Sequence, residues 1–317
     1  MSNYRIIDRL QLDSDAERNA LIAGLFAHPA AIPPKYFYDE LGCALFCAIC
    51  ELAEYYPTRT EVSIFRDFRQ EIADAAGAGK QLVDLGAGDC CKAASWLPYF
   101  QPRRYVAVDI AKAPINKALS GLAPEFPEIE MLGIVTDFAR ALDLHGDLQG
   151  LPATFFYPGS SIGNFSPGQA LAFLAQIRDH CATPGSGLLI GVDAKKDKRR
   201  LEAAYDDPVG VTAAFNRNVL SHVNRLLGCD FRPEVFAHRG FYNEAEGRIE
   251  MHLEAQFDHQ VTITGRVREF RAGERIHTEN SYKYAPFEFE ALLRRAGFDQ
   301  IRLWQDAQQQ FSVFYAA

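Results

Sequence analysis

Asp84-Leu-Gly86-Ala-Gly88-Asp89 joins a short apolar run to a segment of helical length, and its two glycines let backbone N–H groups approach a ligand closely. By itself such a pair can be no more than a tight turn. The next apolar run ends at Asp109, where a carboxylate can accept from both hydroxyls of a ribose. Asp137 follows a third run in Thr136-Asp-Phe138, where it can meet an adenine amine, its alternative being a helix N-cap. After a fourth run comes Gly159-Ser-Ser-Ile-Gly-Asn164, whose terminal Asn offers a donor and an acceptor without charge. Asn164 can therefore hold an amine or a carboxylate, and its alternative is again a helix cap.

A dinucleotide fingerprint wants a third Gly or Ala where Cys91 stands, to let a helix pack closely over a pyrophosphate. The sequence of Gly-x-Gly, acid and acid suits instead a nucleoside bearing a short charged amino-acid arm, which describes S-adenosylmethionine. Methyl transfer is the expected chemistry. Lys92, Phe138 and Gly159, each in or beside one of these segments, complete the expected cofactor-binding set with Gly86, Gly88, Asp109 and Asp137.

The elements that must position these groups are legible as apolar runs at 81–85, 104–109, 129–135, 153–157 and 187–193, alternating with helical or irregular segments. Runs apolar on both faces predict a parallel sheet covered on both sides, a doubly wound α/β domain. Before it, the first 57 residues read as small helices and loops, with a longer helix opening at Thr58-Arg-Thr-Glu61 as a capping box. Residues 195–283 interrupt the rhythm with a helix through Thr212 and then alternating segments, Arg248–Phe257 and Gln260–Val267, that read as antiparallel strands. A helix closed by Gly297 and strands at 300–304 and 311–316 complete the central sheet. The expected domains are 1–59 plus 195–283 for substrate and 60–194 plus 284–317 for cofactor.

Composition narrows the setting. The 317 residues can bury a full core, and the formal charge of −8 argues against a nucleic-acid partner. No apolar run approaches the roughly 18 residues of a membrane span. The 7 cysteines lack the spacing of a disulfide framework, which with the missing leader places the expected protein in the cytoplasm as reduced thiols. Neither Cys43, Cys47 and Cys50 nor the 8 histidines have the spacing of a metal site, and no metal is expected.

Several further blocks occur in order: Pro34-Lys-Tyr-Phe-Tyr38-Asp, Tyr55-Tyr-Pro-Thr-Arg-Thr-Glu61, Gly159 to Asn164, Ala204-Tyr205-Asp-Asp, Gly210-Val-Thr-Ala-Ala-Phe-Asn-Arg-Asn-Val and Arg248-Ile-Glu-Met251. Through them the chain resembles, nearly end to end, the histidine Nα-methyltransferases of ergothioneine biosynthesis. The resemblance implies a class I methyltransferase, a Rossmann-like doubly wound sheet, with a second α+β substrate-binding domain. It implies that Tyr55, Asn164 and Tyr205 hold the α-carboxylate and amine of free histidine, with Tyr38 beside the reacting nitrogen. It also implies that Glu279 and Ser281 bind the imidazole, that Met251 lines the pocket, and that three methylations give hercynine in a monomeric enzyme. Without the resemblance, the tyrosines and Met251 read as packing residues, and Glu279 and Ser281 as one face of a solvated edge strand. The glycine loop departs from the family's hydroxyl-bearing pattern at Ala87, Cys90 and Cys91. Two rival functions stay open at this point: N-methylation of another amino acid or histidine derivative, and a non-catalytic cofactor-binding regulator.

Overall fold

The computed structural model describes residues 3–10, 14–148 and 150–317. Its strands in chain order begin with β1 (Tyr4–Asp8), β2 (Ala30–Ala31), β3 (Gln81–Leu85), β4 (Arg104–Asp109) and β5 (Glu130–Val135). They continue with β6 (Ala153–Tyr157), β7 (Gly187–Asp193), β8 (Phe236–Asn243), β9 (Arg248–Ala255) and β10 (His259–Ile263). The last are β11 (Arg266–Phe270), β12 (Arg275–Tyr282), β13 (Ile301–Gln305) and β14 (Phe311–Ala316). The chain divides into unit 1 (Met1–Leu10, Arg59–Ala194, Tyr284–Ala317) and unit 2 (Gln11–Thr58, Lys195–Lys283).

Unit 1 is built on an eight-stranded sheet of order β1-β5-β4-β3-β6-β7-β14-β13. Every residue of β3, β6 and β7 is buried, as strands covered on both faces require. The strands run parallel except β14, which is antiparallel to β7 and to β13. Strand order reverses between β3 and β6, so the connections leaving those two strands diverge and open a crevice at their carboxyl ends. The glycine loop and the 158–164 turn leave the sheet there.

Unit 2 carries a four-stranded sheet of order β2-β12-β9-β8 and a separate β10-β11 hairpin. One face packs on the helix Val211–Leu227: Phe215, Val219, Leu220 and Val223 share a core with Ile249, Met251, Leu253 and Ala255 of β9. Alternation along β9 sends Arg248, Glu250, His252 and Glu254 to the other face. Between His277 and Glu279 the β12 register shifts, a bulge that changes which face the following residues occupy. Among the described residues no helix is long and apolar enough to cross a membrane.

Three expectations need correction. Residues 4–8 belong to unit 1, not to the substrate domain, because β1 pairs in parallel with β5 from Tyr4↔Met131 to Asp8↔Val135. An edge strand carrying Arg5 and Asp8 has too little apolar alternation to be read from sequence. The helix expected to open at Thr58 already starts at Tyr56, which takes Glu61 out of any capping box. The segment 260–267 is a hairpin, turning at Thr264 and Gly265, both with positive φ.

Candidate active site

In unit 1 the loop after β3 is shaped by Gly86 (φ 73°) and Gly88 (φ 53°), in the left-handed region where a side chain is strained. Asp109 braces it: Oδ2 accepts the Gly88 N–H (2.9 Å) and Oδ1 accepts the Ala111 N–H (2.9 Å). Burial raises the Asp109 carboxyl, and the backbone donors of Ala111, Gly88 and Ile110 oppose that rise. One carboxylate thus joins the glycine loop to the end of β4, with further lone pairs available for ribose hydroxyls. Phe138 lies over the loop, its ring tip 3.7 Å from where a Gly86 Cβ would stand, and packs edge-on against Tyr157. Asp137 sits in a turn after β5 and caps no helix.

Beneath the loop, Tyr105 donates to Asp84 Oδ2 (2.8 Å). Burial lifts the Asp84 carboxyl to about 7 against that hydrogen bond. Cys90 packs beside them with positive φ, and burial pushes its thiol up to about 12. A thiol so held is inert as a nucleophile or ligand at neutral pH, and here it fills space under the turn. The hydroxyl-for-Cys replacement therefore serves packing. Cys47 and Cys91, in contrast, are exposed rather than buried as small apolar groups.

Glu61 is the residue that sequence reasoning assigned wrongly. Its carboxylate, 0% exposed, accepts the Gly159 N–H through Oε1 (2.7 Å) and pairs with Lys92 through Oε2 (2.7 Å). Gly191 of β7 makes room for it, since a Cβ there would lie 2.0 Å from Oε1. Two of the expected cofactor residues are thus held by one buried acid that only the fold brings to them. Glu61→Gln, which offers one acceptor in place of a charged pair, should raise the dissociation constant for S-adenosylhomocysteine about tenfold, the value of one charge-assisted bond. Calorimetric titration would reveal it; unchanged affinity would remove Glu61 from this role. Asn164 is half-buried in a 3-10 turn, and the following helix is capped by Ser166 with Gln169 in a capping box, so its alternative as a cap is excluded.

Unit 2 gathers the other expected residues. Tyr38, Phe46, Tyr55 and Tyr205 form an aromatic chain, with ring centroids 5.9 Å apart for Tyr38 and Phe46, 6.4 Å for Phe46 and Tyr55, and 6.1 Å for Tyr55 and Tyr205. Burial, reinforced by Tyr205, Cys50, Glu279 and Tyr38, holds the Tyr55 hydroxyl protonated far above neutrality. Met251 is buried and pairs in register with Glu279. Burial lifts the Glu279 carboxyl to about 7, against the attraction of Lys283. Ser281 is buried and Glu279 half-buried, so the two do not form a solvated face, although among the described residues β12 pairs only with β9 at this level.

The bulge is what turns them inward, and it is clamped. Thr278 Oγ1 lies 2.8 Å from Asn216 Oδ1 and 3.0 Å from the Met251 carbonyl oxygen, to which pair it donates. Asn216 in turn donates to His238 Nδ1 (2.8 Å), and His238 Nε2 donates to the Tyr205 carbonyl (2.8 Å). A single buried network therefore sets both the bulge and the backbone of Tyr205. Thr278→Val keeps the shape but leaves Asn216 Oδ1 without that donor. It should cost about 1–3 kcal/mol in chemical denaturation, with stability equal to wild type arguing against the clamp.

Among the described residues two side-chain groups come close enough to consider as metal ligands. In His145, Asp179 and His180, the His180 ring already uses Nδ1 on the Gln176 carbonyl and Nε2 on the Leu144 N–H. In Glu250, His252 and His277, the carboxylate is engaged by Arg248, Asn243 and His252. In the second set His252 Nδ1 is buried without a hydrogen-bond partner.

The unit 1 donors fit S-adenosylmethionine: carboxylates at Asp109 and Asp137 for hydroxyls and an amine, the Phe138 ring for a base, and Lys92 with loop N–H groups for a carboxylate. A family profile described as histidine-specific methyltransferase, SAM-dependent, matches residues 17–317. The chain is 40% identical to the histidine N-alpha-methyltransferase of Mycolicibacterium smegmatis, covering 100% of this chain and 98% of that protein. It is 38% identical to the enzyme of the same name from Mycobacterium tuberculosis, covering 95% of each. With ergothioneine biosynthesis protein 1 of Neurospora crassa it shares 29% identity over 96% of this chain and 35% of that protein. The sheet of unit 1, with its reversed final strand, has the topology of the class I methyltransferases. The chain therefore belongs to the histidine-specific methyltransferase family and uses S-adenosylmethionine as its cofactor.

Proposed function

We propose that this enzyme methylates the α-amine of free L-histidine, three times in succession, to give hercynine, the first step of ergothioneine biosynthesis. The observation that carries this reading is Glu279, a half-buried carboxyl turned by the β12 bulge onto the face it shares with buried Ser281 and Met251. A poorly solvated acid of this kind favours a ligand that brings an N–H to it and penalises one that does not. The names of the related proteins support the same acceptor and pathway.

When bound, S-adenosylmethionine supplies an electrophilic methyl on a sulfonium, so the chain's residues have only to orient and to manage protons. Tyr55, Tyr205 and Asn164 hold the α-carboxylate and the amine; Glu279 and Ser281 hold the ring. Tyr38, beside the amine nitrogen, would take up the proton that the nitrogen loses on methylation, directly or through water. Unit 1 is the cofactor domain in this scheme and unit 2 the substrate domain. Seven cysteines with no disulfide between them support a cytoplasmic enzyme.

Mass spectrometry of products from a panel of free amino acids tests this. Mono-, di- and trimethylhistidine should accumulate in turn with labelled cofactor. Label in a different amino acid, with none in histidine, would sink it.

A further inference from the structure

The block Gly210-Val-Thr-Ala-Ala-Phe-Asn-Arg-Asn-Val puts two asparagines, Asn216 and Asn218, inside the helix Val211–Leu227. Asparagine is a poor helix former, because its amide competes for the backbone, so two in one turn call for a reason outside the helix. Both are buried, at 0% and 7% exposed. Being two residues apart, they leave the helix in directions about 200° apart. Asn216 reaches the β12 bulge. Asn218 reaches the opposite way, and its Nδ2 donates to Asp39 Oδ1 (2.7 Å), a bond that none of the roles above uses.

Asp39 directly follows Tyr38. Its Oδ1 also accepts the Gly42 N–H (2.7 Å), capping the helix Glu40–Glu51, and its Oδ2 pairs with Arg225. On the other side of Tyr38, His222 Nδ1 donates to the Tyr36 carbonyl (2.7 Å), and Phe37 stacks on Phe215 with centroids 4.6 Å apart. Phe215, Asn218, His222 and Arg225 follow the spacing of three, four and three that lines one helix face. That stripe pins the residues before and after Tyr38, and the Tyr38 ring itself meets Phe215 edge-on at 6.0 Å. Arg225 is 59% exposed and screened by water, so it balances the charge of Asp39 without fixing its direction. Asn218, on a short buried arm, fixes the direction.

We propose that Asn218 is a positioning residue which, through Asp39, aims the Tyr38 hydroxyl at the reacting nitrogen. This rests on the reading above in which Tyr38 takes up the proton, and deepens it. A proton acceptor works only within hydrogen-bond reach of the proton. The Tyr38 hydroxyl stands at the far end of its ring, so a small rotation of the backbone swings it further than it moves the Cα. Losing the Asn218 bond frees Asp39 to turn toward Arg225, and Tyr38 turns with it. In that reading histidine is held by Glu279, Ser281, Tyr55, Tyr205 and Asn164, so the effect falls on turnover and not on binding.

The test is a double-mutant cycle between Asn218 and Tyr38, with L-histidine and S-adenosylmethionine as substrates. Asn218→Ala should lower kcat about tenfold, a part of the roughly 10²–10⁴-fold that a well-placed proton acceptor supplies. The dissociation constants of S-adenosylhomocysteine, and of histidine in its presence, should stay within about threefold of wild type, which certifies that both units are folded. In a Tyr38→Phe background, itself slowed, the same change should cost less than about twofold, since residues that act as one unit are not additive. Wild-type kcat in Asn218→Ala, a loss that lies in histidine affinity, or the same loss repeated in Tyr38→Phe overturns the role of Asn218 and leaves histidine as acceptor. Wild-type turnover by Tyr38→Phe overturns the placement of Tyr38 and this inference with it. No methylation of histidine by wild type overturns the acceptor reading as well.

Discussion

Glu279→Ala lowers kcat/KM for histidine by about 10²-fold, the value of a charge-assisted bond to a poorly solvated carboxylate together with the misfit left behind. The loss should appear mainly in KM, because the ring is bound in the ground state as much as in the transition state. A variant within about threefold of wild type would mean that the imidazole is held elsewhere. The pH dependence has two limbs of opposite sign. The ionised carboxylate is the stronger acceptor of an N–H, so histidine binding should weaken as pH falls through about 7, where burial has placed this group. Stability runs the other way. A carboxyl raised from 4.5 to about 7 is held more easily protonated in the folded state than in the unfolded one. Its contribution is therefore complete below the unfolded value and lost as pH rises through the folded one. Glu279→Gln, neutral throughout, should gain in Tm over wild type as pH rises from about 5 to about 8, while losing histidine turnover. Thermal scans across that range check the sign.

Asp109→Asn raises the dissociation constant for S-adenosylmethionine by on the order of 10²-fold, although the substitution conserves shape. Both carboxylate oxygens accept backbone N–H groups, one from Gly88 and one from Ala111. An amide has an acceptor for only one of them and must set its own N–H₂ against the other. Each lost bond to an ionised oxygen is worth about 1.5–3 kcal/mol, and the glycine loop loses its brace as well as its ligand contact. Titration with cofactor or its demethylated product would measure the loss. Affinity within about threefold of wild type would show that the loop holds its shape without Asp109.

The cofactor half was legible because its signals are local. Gly86 and Gly88 must adopt positive φ, Asp109 must end a strand, and both demands are written within a few residues of chain. The strand runs of unit 1 were legible for a related reason: a strand buried on both faces is apolar throughout, whatever its neighbours. β1 escaped notice because an edge strand with Arg5 and Asp8 looks like a terminus until β5 pairs with it.

The acceptor half shows where one-dimensional reading ends. Glu279 and Ser281 share a face by parity alone, but which face is settled by the bulge after His277, and that bulge depends on Asn216, a residue 62 positions from Thr278. Glu61 looked like part of a helix cap, yet it is the buried partner of Lys92 and Gly159, 31 and 98 residues away. The residue types, the glycine turn and the alternation of buried strands belong to the sequence by itself, since they follow from backbone sterics and apolar burial over a few residues. The inward turn of Glu279 and the buried charge of Glu61 belong to the tertiary structure. Their free energy comes from desolvation and hydrogen bonds between distant segments, which no local pattern encodes.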